Sequence, residues 1–165
     1  MSDLESRSGR QVDPPSRLRL CVRRATGQAA SLEIVTLRIP NDIGWVEEAV
    51  DLIARHCLSG TSYSRRMLFN LRVVLAESLA NAIICGNGED PDKWVDVRAE
   101  LGRESIKLEV TDEGPGFDPG GIPDPTVPGE LDSSCGRGLF LIRCLVDDVR
   151  FNDRGNSICM TLRRA

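Results

Sequence analysis

The chain predicts an α+β domain on three observations. Short apolar runs alternate with polar residues and pair up across tight turns, three stretches place apolar residues at helical spacing, and 41% of the 165 residues are hydrophobic, enough for one core. The strand runs are hairpin neighbours, which favours a mainly antiparallel sheet.

In order, residues 1–29 are rich in Ser, Arg, Gln and Pro without a sustained period, and read as a flexible tail, with the globular domain over 30–165. Leu32, Ile34, Val35, Leu37 and Ile39 predict a strand that ends at Pro40. Asn41 is the expected N-cap of a first helix, carried by Ile43, Val46, Val50, Ile53 and Cys57 and stopped by Gly60. His56 lies in its last turn, where a cation suits the helix dipole, and reads as structural. A longer helix is expected from about Ser64 to Cys85, with Leu68, Leu71, Leu75, Ser78, Leu79 and Ala82 as its core stripe. Trp94–Leu101 and Ile106–Thr111 alternate around Gly102-Arg103-Glu104 and predict a hairpin. Residues 118–135 carry four prolines and no period, the mark of a long functional loop. Gly136-Arg137-Gly138 opens an apolar helix to Val146, and Val149–Asn152 with Ser157–Leu162 predicts a closing hairpin.

Charge narrows the class. The net charge is −4, yet 1–29 holds six of the 21 basic and three of the 25 acidic residues, leaving that stretch at +3 and the remainder at −7. An acidic body argues against nucleic acid as a partner. No run of 18 apolar residues and no secretory leader is evident, so no membrane association and a cytoplasmic location are expected. The six cysteines show no C-x-x-C pair and read as reduced thiols; with His56 the sole histidine, a catalytic His triad or multi-His metal site is not expected.

Three segments carry possible chemistry. Glu77 and Asn81 stand one turn apart on the second helix, framed by Val73, Val74, Ala80 and Ile84. They read either as polar groups lining a pocket or as groups bridging nearby backbone. A strand delivers Asp112 into a turn with Gly114 and Gly116, and Gly136-Arg137-Gly138-Leu139 begins a helix. Glycines let backbone amides approach a phosphate, and a helix N-terminus favours an anion. A strand-end Asp can accept an exocyclic amine, an Asn oxygen suits Mg²⁺, and a carboxylate can take a hydroxyl proton. No Walker or Rossmann glycine spacing is present.

The order of these segments resembles the GHKL (Bergerat-fold) ATPases, and within them the anti-sigma-factor serine/threonine kinases, over about Leu32 to Arg164. Glu77-Ser78-Leu79-Ala80-Asn81-Ala82-Ile83-Ile84 matches the N-box, Asp112-Glu113-Gly114-Pro115-Gly116-Phe117-Asp118-Pro119 the first glycine box, and Gly136-Arg137-Gly138-Leu139 the second. The resemblance implies a two-layer α/β sandwich with helices on one face of a mixed, mainly antiparallel sheet. It implies ATP and Mg²⁺ as cofactors, Glu77 as general base, Asn81 as Mg²⁺ ligand and Asp112 as the adenine acceptor. Gly114 and Gly116 would shape the pocket, Gly136, Gly138 and Leu139 would lie at the phosphates, and Arg137 would either add charge there or face solvent. The 118–135 loop would be an ATP lid. Implied partners are a STAS-domain anti-sigma-factor antagonist as substrate, a sigma factor or equivalent target, and a second copy in a homodimer. Two positions depart from the family: Cys85 stands where relatives carry His before Gly86, and Ser134 where some carry Arg. A nucleotide-gated binding module with little or no kinase activity is the alternative.

Overall fold

The computed structural model describes residues 18–27, 30–60, 63–121 and 134–164. Six strands form one sheet in the order β1-β2-β3-β4-β6-β5, from β1 (Arg19–Gly27), β2 (Ala30–Pro40), β3 (Trp94–Leu101), β4 (Ser105–Asp112), β5 (Asp148–Phe151) and β6 (Ser157–Arg163). Every pairing is antiparallel. Three helices, α1 (Val46–Gly60), α2 (Arg65–Asn81) and α3 (Ser134–Leu145), cover one face.

Strand periodicity explains the two layers. Val95, Val97, Ala99 and Leu101 of β3 and Ile106, Leu108 and Val110 of β4 are buried, while Asp96, Lys107 and Glu109 between them are exposed. The buried set meets Val35, Leu37 and Ile39 of β2, Met160 and Leu162 of β6, and the helices through Ile53, Leu71, Leu75, Leu79 and Ile142. Arg65–Gly86 is long and apolar enough to cross a membrane by composition, but Met67, Leu71, Val74, Leu75 and Leu79 are spent on this core.

Several sequence expectations change. Residues 19–27 are not tail: they form β1, which pairs along its whole length from Arg19↔Arg38 to Gly27↔Ala30. Leu18 also packs against the core, so the folded unit begins upstream of residue 30. The first 17 residues lie outside the described set, and so do residues 122–133 of the expected lid.

The first helix is capped by Asp42, not Asn41. The Asp42 carboxylate accepts the Gly44 N–H at 2.9 Å and opens a 3-10 turn, Ile43–Trp45, ahead of α1. Asn41 is instead buried and bonded to Asn87 and to the Asp90 carbonyl. Ser64 caps α2 by accepting the Met67 N–H. The long helix does not stay α to its end: Ala82–Gly86 is a π-helical turn, closed by Asn87 N–H donating to Ala82 O. Val74, expected opposite the core stripe, is fully buried within it. His56 sits on α1 ahead of its last turn, not in it as expected, with Nδ1 3.4 Å from Glu33 Oε1 of β2.

Candidate functional site

A cavity of about 350 Å³ opens where α2 and its π turn, the end of β4, the start of α3 and the β5–β6 turn converge, within the size range of small-molecule clefts. Its wall includes Ala82, Val110, Phe117, Phe151 and Ile158, with Asn81, Asp112 and Asn156 as its carboxylate and amide groups. Phe117 and Phe151 meet edge to face at 5.3 Å between centroids.

β4 runs inward to Asp112 and then breaks into the glycine turn. Asp112 Oδ1 accepts the Gly114 N–H at 2.8 Å, an Asx turn that holds the carboxylate at the wall. The backbone behind it is pinned from the β5–β6 turn: Asp112 N–H donates to Asn156 O at 2.9 Å, and Asn156 Nδ2 donates to Asp112 O at 2.7 Å. Burial pushes the Asp112 carboxyl above its ordinary range; the Gly114 N–H bond, then Arg154 and Lys93, pull the other way and do not overcome it.

Glycine is required here by close approach. A Cβ on Gly114 would collide with Gly86 O, and one on Gly86 would collide with the Asp112 carboxylate. The π turn therefore lies directly against the strand end, with no room for a side chain on either. Gly116 has φ +79, and a side chain there would strike Arg154 O; Arg154 Nη2 also donates to Gly114 O at 2.8 Å.

The remaining expected residues fall around this slot. Asn81, Asp112, Gly116, Gly136 and Leu139 line it. Glu77 does not line it; it lies a turn back along α2, against α3. A Cβ added at Gly138 would sit 2.8 Å from Glu77 Oε2 and 3.3 Å from Asn81 Oδ1, so the N-box pair and the second glycine box are in contact. Gly114 is buried behind the wall, and Arg137 is exposed and outside the lining.

Sequence reasoning missed Gly86, Arg154, Gly155, Asn156 and Ser157. Residues 153–156 carried only a hairpin-turn signal, and nothing local pairs them with Gly116, about 40 positions away. The cysteines also need correction. Cys21, Cys57, Cys144 and Cys159 are free, but Cys85, at the cavity rim, is disulfide-bonded. Sequence spacing does not exclude a disulfide whose partners are joined by the fold. Burial, reinforced by Glu33, pushes the Cys57 thiol up to about 12 against the bond it receives from its own backbone, which leaves it protonated and inert.

Among the described residues no group of three His, Cys, Asp or Glu side chains forms a metal cage. With no such cage among the described residues, Asn81 would suit a divalent ion that keeps waters and binds through phosphate oxygens. The apolar slot ending in a carboxylate, beside a helix N-terminus, fits a purine nucleotide on the donor chemistry.

An antiparallel sheet under one helical layer, with an acid at a strand end and two glycine turns around one slot, defines an ATP-binding domain of the GHKL type. The chain belongs to the histidine kinase-like ATPase domain family, whose model matches residues 39–162. Among curated proteins it is similar to the serine-protein kinase RsbW of Oceanobacillus iheyensis, at 28% identity over 112 residues covering 62% of this chain and 71% of the relative. It is also similar to the proteins of that name from Listeria innocua, at 26% over 138 residues, and Listeria monocytogenes, at 27% over 138 residues. Both alignments cover 77% of this chain and 85% of the relative.

Proposed function

We propose that the protein is an ATP-dependent serine/threonine protein kinase of the anti-sigma-factor type. The observation that carries this reading is the contact of Glu77 and Asn81 with Gly138, which sets a carboxylate and an amide beside the start of α3, while Asn81 and Asp112 line one cavity. The similarity to serine-protein kinases supports it.

In this mechanism Asp112 accepts the adenine amine and the apolar wall excludes water from the base. The amides at Gly136 and Gly138 hold the phosphates, and Asn81 holds Mg²⁺ together with them. Bound Mg-ATP supplies the transferable phosphoryl group. Glu77 accepts the proton of the attacking hydroxyl, while positioning supplies most of the rate. Arg137, exposed at the same turn, is free to add charge at the terminal phosphate. The substrate is a Ser or Thr on a STAS-domain antagonist, the alternative partner is a sigma factor, and the kinase acts as a homodimer in the cytoplasm.

Cys85 in place of an imidazole, together with Glu77 lying outside the cavity lining, favours a second reading: a binding module whose grip on its partner follows nucleotide occupancy, with little transfer. Incubation with Mg-[γ-³²P]ATP and the antagonist separates the two. The kinase labels Ser or Thr, and Glu77→Gln lowers transfer at least about 100-fold, the range of general-base catalysis, with ATP affinity kept. Wild-type protein that binds ATP and labels nothing supports the binding module; transfer that persists in Glu77→Gln removes Glu77 as the base.

A further inference from the structure

Behind the cavity wall, at the close of the π turn, Asn87 is only 2% exposed. Its side chain makes three hydrogen bonds to three separate segments. Nδ2 donates to Asn41 Oδ1 and to Trp94 O, each at 2.9 Å, and Oδ1 accepts the Glu113 N–H at 2.8 Å. Trp94 N–H in turn donates to Glu113 Oε2 at 2.7 Å. Asn87, Trp94 and Glu113 thus close a ring of hydrogen bonds at the residue that follows Asp112. Arg38 braces it from β2, 3.1 Å from Glu113 Oε1 and over the Trp94 ring. None of the three ring residues lines the cavity, so none touches a ligand there.

We propose that Asn87 is a positioning residue that sets the base preference of the cavity. By holding the Glu113 amide, while Asn156 holds the Asp112 carbonyl of the same peptide, it completes the constraint on the Asp112–Glu113 peptide plane, and with it the direction in which the Asp112 carboxylate faces a purine edge. This rests on the nucleotide reading of the site. A carboxylate accepts from the amine of adenine and is repelled by the carbonyl oxygen that guanine presents at the same position. That discrimination is angular, because hydrogen bonds weaken steeply away from linearity. Asn87 supplies the constraint from a position where it contacts neither base. Asn41 is the internal control: it bonds Asn87 and the Asp90 carbonyl but not Glu113.

The test measures calorimetric affinities for ATP and GTP together with Tm, in wild type, Asn87→Ser, Asn87→Asp and Asn41→Ser. Asn87→Ser loses the Glu113 contact, and its ATP-over-GTP ratio falls about tenfold, the effect of one net hydrogen bond. Asn87→Asp keeps an acceptor for the Glu113 amide, and Asn41→Ser leaves that bond untouched. Both lower Tm and retain the wild-type ratio, and a fall in the ratio of either overturns the proposal even if Asn87→Ser does not fold. A ratio that follows Tm across the variants overturns the proposal, as does a wild-type ratio in folded Asn87→Ser. Wild-type protein that binds neither nucleotide overturns the nucleotide reading beneath it.

Discussion

Asp112 carries a tension between folding and binding. Its carboxyl is raised by burial although Gly114, Arg154 and Lys93 all favour the anion, so ionising it opposes the folded state. A folded-state value above the unfolded one means the contribution to stability is fully present below the unfolded carboxylate range, near pH 4, and is lost as pH rises through the folded value. Asp112→Asn removes the buried charge and keeps an oxygen for the Gly114 N–H. Without ligand, this variant should melt at or above the wild-type Tm at pH 7, and the advantage should shrink as pH falls toward 4. Its ATP affinity should drop sharply, since an amide rotated to accept from Gly114 turns a donor toward the adenine amine. Melting curves from pH 4 to 8 check the first part and calorimetry the second. A variant that is less stable at pH 7 and recovers on acidification contradicts the assignment.

At the scale of elements, legibility followed the strength of each local pattern. The core stripe of α2 and the β3–β4 hairpin could be read because their apolar periods, 3.6 and 2, run unbroken over several turns or pairs. The π turn could not. Ala82–Gly86 has the composition of the helix before it, and what coincides with its changed winding is the close approach of Gly86 to Gly114 and Asp112, a contact between residues 28 positions apart. The candidate site was readable in its three motifs and unreadable in its supports, because Arg154 and Asn156 act on the Asp112–Gly116 backbone across the fold. β1 was missed for a different reason. Leu20, Cys21, Val22 and Arg23 are all exposed, so the described side chains of this edge strand show no buried face to betray it, and charge on an edge strand is a normal guard against strand addition. Its place is set by β2, not by its own pattern. Removing residues 1–29 would therefore not trim an appendage. It would bare the backbone of β2, an eleven-residue strand. The truncated protein should melt several degrees lower and aggregate in proportion to concentration, by differential scanning fluorimetry and light scattering. A truncation indistinguishable from full-length protein would mean that β1 adds nothing to the sheet.

For the whole molecule, the cavity is a place where elements distant in sequence share a ligand-sized space. Asn81 comes from α2, Asp112 from β4, Leu139 from α3 and Ser157 from β6. A ligand there touches every layer of the fold, so it binds the native state and not the unfolded chain, where these groups are scattered. Linkage then fixes the size of the effect. At 100 times Kd, a ligand specific for the native state stabilises it by about 2.7 kcal/mol. Each kcal/mol moves Tm by about 2–4 °C in a domain of this length, so ATP at that level should raise Tm by about 5–10 °C. Inorganic tripolyphosphate at the same concentration, which has no base for Asp112, should give a smaller shift. ATP should give Asp112→Asn almost none. This pattern separates recognition of the base from attraction of polyanions, which the chain's net charge of −4 does not favour on charge alone. Equal shifts with ATP and tripolyphosphate would place binding at the start of α3 without the base slot. No shift with ATP from micromolar to millimolar concentration would mean that the slot ending at Asp112 does not hold a nucleotide.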